Sequence, residues 1–347
     1  MDEASQAQSP RAAPARVIGM AASAGGVEAL RTLAAGLAAD LPAAIFVVLH
    51  IPATGRSLLG PILDRESAFT AVVAEDAMAI QPGLIYVAPA DRHLLVRRDR
   101  IELSRGPKEN GVRPAADPMF RSLARAWGPA AIGVVLSGAL DDGSAGTVSM
   151  SEAGGTVIVQ DPADALVPGM PASAIAANPP DYTLPLAEIG GVLERLVRAA
   201  APAPREEEAM PSVPDPDDHL RAEQRPAGPA SGFTCPECSG ALWEVKDGAL
   251  ARYRCRVGHT YSEDAMVEAQ GQAVEAALWT ALEVLEERGE LLRRIAGRME
   301  GKPRSARRFE ESAREALDRA ALIRRALSMG VGSYALTVDQ MLEETAG

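Results

Sequence analysis

The sequence predicts an α/β fold built on a doubly wound, mostly parallel sheet with helices on both faces, followed by a small cysteine-bearing ribbon and an α-helical hairpin. Three observations predict it. From Val17 to about Ala200, short β-rich runs alternate with amphipathic segments, the pattern of parallel strands joined by crossover helices. All three cysteines fall in one short C-terminal window. Beyond Ser262 the apolar residues recur at helical spacing between runs of Glu and Arg.

The composition narrows the functional classes. With 347 residues and 47% hydrophobic content, the chain can bury one large core or two smaller ones. A formal net charge of −12 argues against nucleic-acid binding, which needs clustered Lys and Arg. No apolar run reaches membrane-spanning length, so membrane insertion is not expected. Residues 1–14, rich in Ala, Gln, Ser and Pro, read as a disordered leader and not as a signal peptide. Cysteines grouped this way argue against a disulfide framework, and a reducing cytoplasm is the expected compartment.

Taken in order, strands are expected over residues 17–22, 44–49, 70–73, 84–88, 132–136 and 156–160. Helices are expected over 27–38, 57–66, 119–127, 144–153 and 188–198. The runs Leu94-Leu95-Val96 and Ile101-Glu102-Leu103 flank the turn-forming residues 97–100 and read as a β-hairpin.

The first strand carries Ser23 at its carboxyl end, and Gly25-Gly26 turn the chain tightly into the first helix. A hydroxyl there has helix N-terminal amides beside it, which suits oxyanion stabilisation. Small residues at such a turn also serve nucleotide-binding sheets. Gly19 with Gly25-Gly26 does not have the G-x-G-x-x-G spacing, however, and the next strand ends in His50 with no acidic residue for a ribose. The strand over 132–136 runs into Ser137-Gly138-Ala139-Leu140-Asp141-Asp142-Gly143, delivering two carboxylates to a glycine-bounded loop, one of them expected as a helix N-cap. Three strands thus end in Ser, His and Asp. That is the set acyl transfer requires, since a serine hydroxyl needs a base and the imidazole base needs a carboxylate to orient it.

The segments Ile18–Gly26, Leu49-His50-Ile51-Pro52, Pro82–Pro89, Arg113-Pro114-Ala115-Ala116-Asp117, Leu136–Gly143 and Gly169-Met170-Pro171 resemble, in order, the motifs of CheB-type protein-glutamate methylesterase catalytic domains. The resemblance covers about residues 15–200. It implies a doubly wound sheet and hydrolysis of glutamate γ-methyl esters on the cytoplasmic helices of chemoreceptors, with glutamine deamidation in some members. By motif, Ser23 is the implied nucleophile, His50 the base and Asp142 the orienting carboxylate. Ala24, Gly25 and Ala139 border the implied oxyanion region; the family usually has Thr in place of Ala24 and Met in place of Ala139, so a hydroxyl donor is missing. Arg92, His93 and Met170 are expected to border the same cleft. No segment before Val17 is long enough for the receiver domain of many family members, so control is expected from elsewhere or to be absent.

Residues 201–231, rich in Ala, Pro, Glu and Asp, read as a solvated linker. Over 232–261, Cys235-Pro-Glu-Cys238 and Cys255-Arg-Val-Gly-His259 flank a hairpin rhythm. Three thiolates and one imidazole make a closed tetrahedral set for structural zinc on Cys235, Cys238, Cys255 and His259. The acidic linker leads us to expect an independent ribbon with no core shared with the sheet, and activity that survives truncation near Ala200. Over 262–330, Leu278, Leu282 and Leu285 mark one apolar stripe and Ala313, Leu317, Ala320 and Leu327 another, reading as a helical hairpin that packs on itself, on a second copy or on a signalling partner. Residues 331–347 form a C-terminal tail.

Two classes of function stay open on the sequence alone. One is a serine esterase for protein glutamyl methyl esters, acting on chemoreceptors or on another protein. The other is a non-catalytic interaction module that retains the fold, with Ala24 and Ala139 as signs of decay.

Overall fold

The structure is a computed structural model that describes residues 14–54, 57–199, 226, 228–247, 250–299 and 302–329. The leader, most of the linker and the tail therefore lie outside the described residues. The described chain divides into two compact units, one ending at Asp264 and the other starting at Ala265.

The first unit is organised on seven parallel strands: β1 (Arg16–Ala22), β2 (Ala43–Leu49), β3 (Thr70–Val73), β4 (Leu84–Val87), β7 (Ala131–Val135), β8 (Thr156–Gln160) and β9 (Tyr182–Leu184). Between β4 and β7 stands the hairpin β5 (His93–Val96) and β6 (Ile101–Ser104), whose antiparallel pairing matches the expectation. The parallel strands lie in the order β3-β4-β2-β1-β7-β8-β9. From β1 the chain winds outward to β2 and β4 on one side, then returns to β7, β8 and β9 on the other. The crevice at such a reversal of winding opens outside the carboxyl ends of the central strands.

Burial on both faces explains why these strands read as continuous apolar runs. In β1, Val17 and Ala21 face one core while Ile18, Met20 and Ala22 face the other. The first core is closed by α3 (Ala116–Trp127) and the hairpin, through Met119, Phe120, Leu123 and Leu94. The second is closed by α1 (Gly26–Ala35), α2 (Leu59–Glu66) and α6 (Leu186–Arg198), through Leu30, Leu33, Leu63, Ile189 and Leu193. Two further helices, α4 (Ser144–Glu152) and α5 (Gly169–Ala177), follow β7 and β8.

The sequence reading misses β9 and α5. The strand is only three residues long and no more than half-buried, and the helix has Pro171 in its first turn and apolar residues on all sides, so neither shows a clear period. The remaining elements differ from expectation by a few residues at their ends, where caps and frayed turns decide.

After the linker, β10 (Ala230–Thr234), β11 (Ala241–Asp247), β12 (Leu250–Cys255) and β13 (Thr260–Tyr261) form a four-stranded antiparallel sheet. In the second unit the helices Glu263–Gly297 and Pro303–Ser328 pair through small residues: a Cβ at Gly289 would stand 2.8 Å from Leu317. Ala313, Ala316 and Ala320 are buried on the facing helix, and Arg324 forms an ion pair with Glu286. No described helix is long and apolar enough to cross a membrane.

Candidate active site

The parallel register brings two of the three expected residues level. Ala22 pairs with Leu49 as the last pair of β1 and β2, so Ser23 and His50 leave adjacent strands side by side. The ladder extends one step beyond each strand, with the His50 amide donating to Ala22 O at 3.3 Å and the Ser23 amide to Ser137 O at 3.0 Å. Gly25 takes a left-handed φ of 73° and lets the chain enter α1 directly after Ser23. On the other side Gly138 makes room: a Cβ there would stand 2.1 Å from Met170 Sδ and 3.0 Å from Ser23 Cβ. Met170, fully buried, therefore closes against the serine side of the cleft across the Gly138 backbone. Ala24 and Ala139 are exposed at the same edge.

His50 meets the third residue directly, its Nε2 lying 2.7 Å from Asp142 Oδ2. Four donors surround the Asp142 carboxylate. Oδ2 also accepts from the Ala116 amide at 2.6 Å, and Oδ1 accepts from the Asp117 amide and Asn110 Nδ2, each at 3.3 Å. Burial raises the pKa of this carboxyl, but the hydrogen bond and charge of His50 and the two amides outweigh it and hold it below the usual carboxylate value. An ionised carboxylate only accepts, so Nε2 carries the ring proton and Nδ1 is the nitrogen left to act as base. Among the described residues no hydrogen bond joins the Ser23 hydroxyl to His50. Catalytic hydrogen bonds of this kind are often long before substrate tightens the site.

Asp141 and Asp142 part company here. Neither side chain caps α4, whose N-cap is Gly143, because Asp142 faces His50 and Asp141 Oδ1 accepts from the Ser262 hydroxyl at 2.8 Å. The expectation that one of them is the cap is corrected accordingly. His93 is also not a cleft residue. It is buried, with Nε2 2.9 Å from Pro107 O and Nδ1 accepting from the Ala115 amide, and burial lowers its pKa, favouring the neutral ring that these contacts use. Arg92 stands half-buried next to it in the chain.

Sequence reasoning left Asn110 and Asp117 without roles. Asp117 is 1% exposed, and its Oδ1 gathers the amides of Gly143 and Gly146 at 3.0 and 2.8 Å, pinning the Asp142 loop to the head of α3. Burial pushes its carboxyl up to about 6, against the opposing charge of Arg252. Asn110 Nδ2 lies 3.3 Å from both Asp117 Oδ2 and Asp142 Oδ1 and bridges the two carboxylates. The Asn-Gly dipeptide at 110–111 is a turn signal that marks where this loop bends.

The cysteine-rich sheet gathers Cys235, Cys238, Cys255 and His259, with ligand atoms within 4.8 Å of one another. Cys235 Sγ and Cys255 Sγ lie 3.7 and 3.5 Å from His259 Nδ1, and Cys238 Sγ lies 3.7 Å from Cys255 Sγ. Zinc bond lengths in a tetrahedron put two sulfurs about 3.8 Å apart and sulfur and nitrogen about 3.6 Å apart. The cluster can bind a metal, and its spacing is compatible with zinc and far too long for a disulfide. The sheet is not independent of the first seven strands. Arg252 on β12 is 3% exposed and pairs with Asp117 Oδ2 at 2.7 Å, and Asn110 donates its amide to Thr260 O at 2.8 Å. The expected absence of shared structure across the linker is thereby corrected, because a buried ion pair links the two sheets.

Fold and site together define a doubly wound α/β chain with a candidate nucleophile, base and acid on three strand ends of one sheet edge. The chain belongs to the CheB methylesterase family, whose pattern matches residues 18–193. A Caulobacter vibrioides protein named protein-glutamate methylesterase/protein-glutamine glutaminase 2 is 40% identical over 195 residues, which make up 55% of this chain and 56% of that protein. In Xanthomonas campestris pv. campestris, a protein-glutamate methylesterase/protein-glutamine glutaminase 1 is 38% identical over 192 residues, 54% of this chain and 52% of the relative. The chain spans about half the length of the curated relatives it matches. The crystal structure of the Thermotoga maritima CheB methylesterase catalytic domain is similar with a TM-score of 0.51 and 34% identity, covering 52% of this chain and 98% of that one.

Proposed function

We propose that this protein is a serine esterase that hydrolyses glutamate γ-methyl esters, releasing methanol, on the methylated cytoplasmic helices of chemoreceptor-type proteins. The observation that carries the reading is the 2.7 Å His50–Asp142 pair with Ser23 on the adjoining strand end, inside a family segment named for this reaction. Ser23 Oγ attacks the ester carbonyl while His50 Nδ1 takes its proton. The Asp142 charge stabilises the imidazolium through Nε2–H. Amides at the Ala24–Gly25 turn, at the head of α1, face the developing oxyanion in place of the side-chain hydroxyl that Ala24 lacks. Collapse of the tetrahedral intermediate expels methoxide, which leaves as methanol with the proton from His50. Water then attacks the acyl-enzyme with Nδ1 again as base, the bond from Ser23 Oγ to the acyl carbon breaks as Oγ takes the proton back from His50, and the product carboxylate leaves. Ammonia replaces methanol as the leaving group in glutamine deamidation, a second activity of the same site.

Cys235, Cys238, Cys255 and His259 hold a structural zinc in this reading, with all four positions filled by protein and no part in the chemistry. The cytoplasm is the compartment that suits both free thiolates and the substrate. The helices after Ser262 serve as a docking or self-association arm. Methanol release from methylated receptor by the purified full chain, compared with Ser23→Ala, tests the reading. Release that is unchanged by Ser23→Ala, or absent from the wild type on receptor and on small methyl esters alike, would overturn it.

A further inference from the structure

Arg252 lies outside the family segment of residues 18–193, yet its guanidinium is buried against Asp117 and Asn110, the residues that adjoin the candidate catalytic carboxylate. Nη1 donates to Asp117 Oδ2 at 2.7 Å and Nη2 to Asn110 Oδ1 at 3.0 Å, with Glu109 Oε2 3.7 Å from Nη2. These are the two residues whose other atoms hold Asp142: the Asp117 backbone amide and Asn110 Nδ2 both donate to Asp142 Oδ1. The same loop is pinned from the cysteine-rich side at further points. The Ser262 amide donates to Asn110 Oδ1 at 3.2 Å, the Ser262 hydroxyl donates to Asp141, and Lys108 pairs with Glu237 at 2.6 Å, next to Cys238.

The charge balance explains why a cation is needed there. Asp117 and Asp142 are both buried and are bridged by a single side-chain amide, that of Asn110. Two buried carboxylates this close disfavour each other's ionised form. Arg121 is paired with Glu109 and adds its charge from α3, while the Arg252 guanidinium is in direct contact with Asp117. The charged and titratable groups around the pair are His50 after β2, Asp141 in the same loop with Asp264 acting on it, Glu109 and Arg121 beside Asn110, His93 on β5, and Arg252 on β12 with Arg254 acting on Glu109.

We propose that Arg252, delivered by the C-terminal cysteine-rich sheet, is a positioning residue for the triad: it holds Asp117 and Asn110, and through them keeps Asp142 ionised and aimed at His50. The sheet thereby completes the esterase site within the same chain. This inference rests on the esterase reading for its kinetic arm only.

The test compares full-length wild type, Arg252→Met, Arg252→Lys and the double variant Arg252→Met/Asp117→Asn. Removing the cation raises the proton affinity of the His50–Asp142–Asp117 cluster, whichever member takes the proton. In Arg252→Met the acid limb of kcat/KM therefore moves up by about one pH unit, within the range an opposite charge produces at contact. kcat falls at least tenfold with KM little changed. Lys at 252 restores part of the loss, and Asp117→Asn in the Met background, which removes one of the two anions, returns the limb toward wild type. NMR titration of the His50 ring reads the same shift with no turnover needed, so it stands even where no ester is hydrolysed. An unshifted His50 titration in Arg252→Met, or a limb that the double variant leaves displaced, would overturn the proposal and reduce Arg252 to a tether. If Arg252→Met fails to fold, Arg252→Gln, which keeps hydrogen-bond donors and removes the charge, takes its place: an upward shift of the His50 titration supports the proposal and an unshifted one overturns it.

Discussion

Replacing Asp142 by Asn tests the candidate site at its best-defined point. Four N–H donors converge on the Asp142 carboxylate, two at each oxygen, and among the described residues no acceptor stands at either oxygen. An amide can match only one pair. With its oxygen toward His50 and Ala116, its NH2 meets the donors of Asn110 and Asp117; turned round, it forces the Nε2 proton of His50 onto Nδ1, where the base must be vacant. Each unmatched buried donor costs roughly 1–3 kcal/mol. The larger loss is electrostatic, since unit charges 4 Å apart at an effective dielectric of about 20 attract by about 4 kcal/mol, which the imidazolium no longer gains. At about 1.4 kcal/mol per decade this is roughly a thousandfold in kcat, with KM nearly unchanged. The assay is single-turnover and steady-state methanol release from methylated receptor, with a thermal melt to show that Asp142→Asn folds. A kcat within tenfold of wild type in a folded variant would refute the assignment of Asp142 to His50.

Three further outcomes follow from the same structure. Gly138→Ala places a methyl 2.1 Å from Met170 Sδ and 3.0 Å from Ser23 Cβ, so kcat should drop more than tenfold, and Met170→Ala in the same chain should recover part of it; full activity of Gly138→Ala would show that the loop shifts freely. Glu109 is depressed from 4.5 to about 2, the charges of Arg121 and Arg252 outweighing its burial, so it contributes stability that is complete above pH 4.5 and lost as pH falls through about 2. The integrated contribution is about 3 kcal/mol at 1.36 kcal/mol per unit, and calorimetric melts of wild type and Glu109→Gln across that window should diverge in slope. Metal analysis should find one zinc per chain, and its removal by a chelator should melt the four-stranded sheet and also lower esterase activity, because Arg252 sits three residues from Cys255. Activity untouched by complete zinc removal would count against coupling between the two sheets.

Much of this protein was legible along the chain. Parallel strands buried on both faces read as near-continuous apolar runs, so β1, β2 and β7 announce themselves in residues 17–22, Ala43–Leu49 and Ala131–Val135. Ser23, His50 and Asp142 were readable because each follows directly on such a run, and the four metal-ligand candidates because their spacing is local, two residues between Cys235 and Cys238 and three between Cys255 and His259. What the tertiary structure alone decided is everything that depends on separation in the chain. Which aspartate faces His50, whether His93 reaches the cleft, and how Gly138 lets Met170 close on Ser23 are outcomes of packing between strands and helices far apart in sequence. Arg252 is the extreme case, since it meets Asp117 across 135 residues and a linker whose composition signals separation. Periodicity and spacing report on neighbours within a turn or two of chain; a buried ion pair depends on two surfaces meeting, and no local pattern records that.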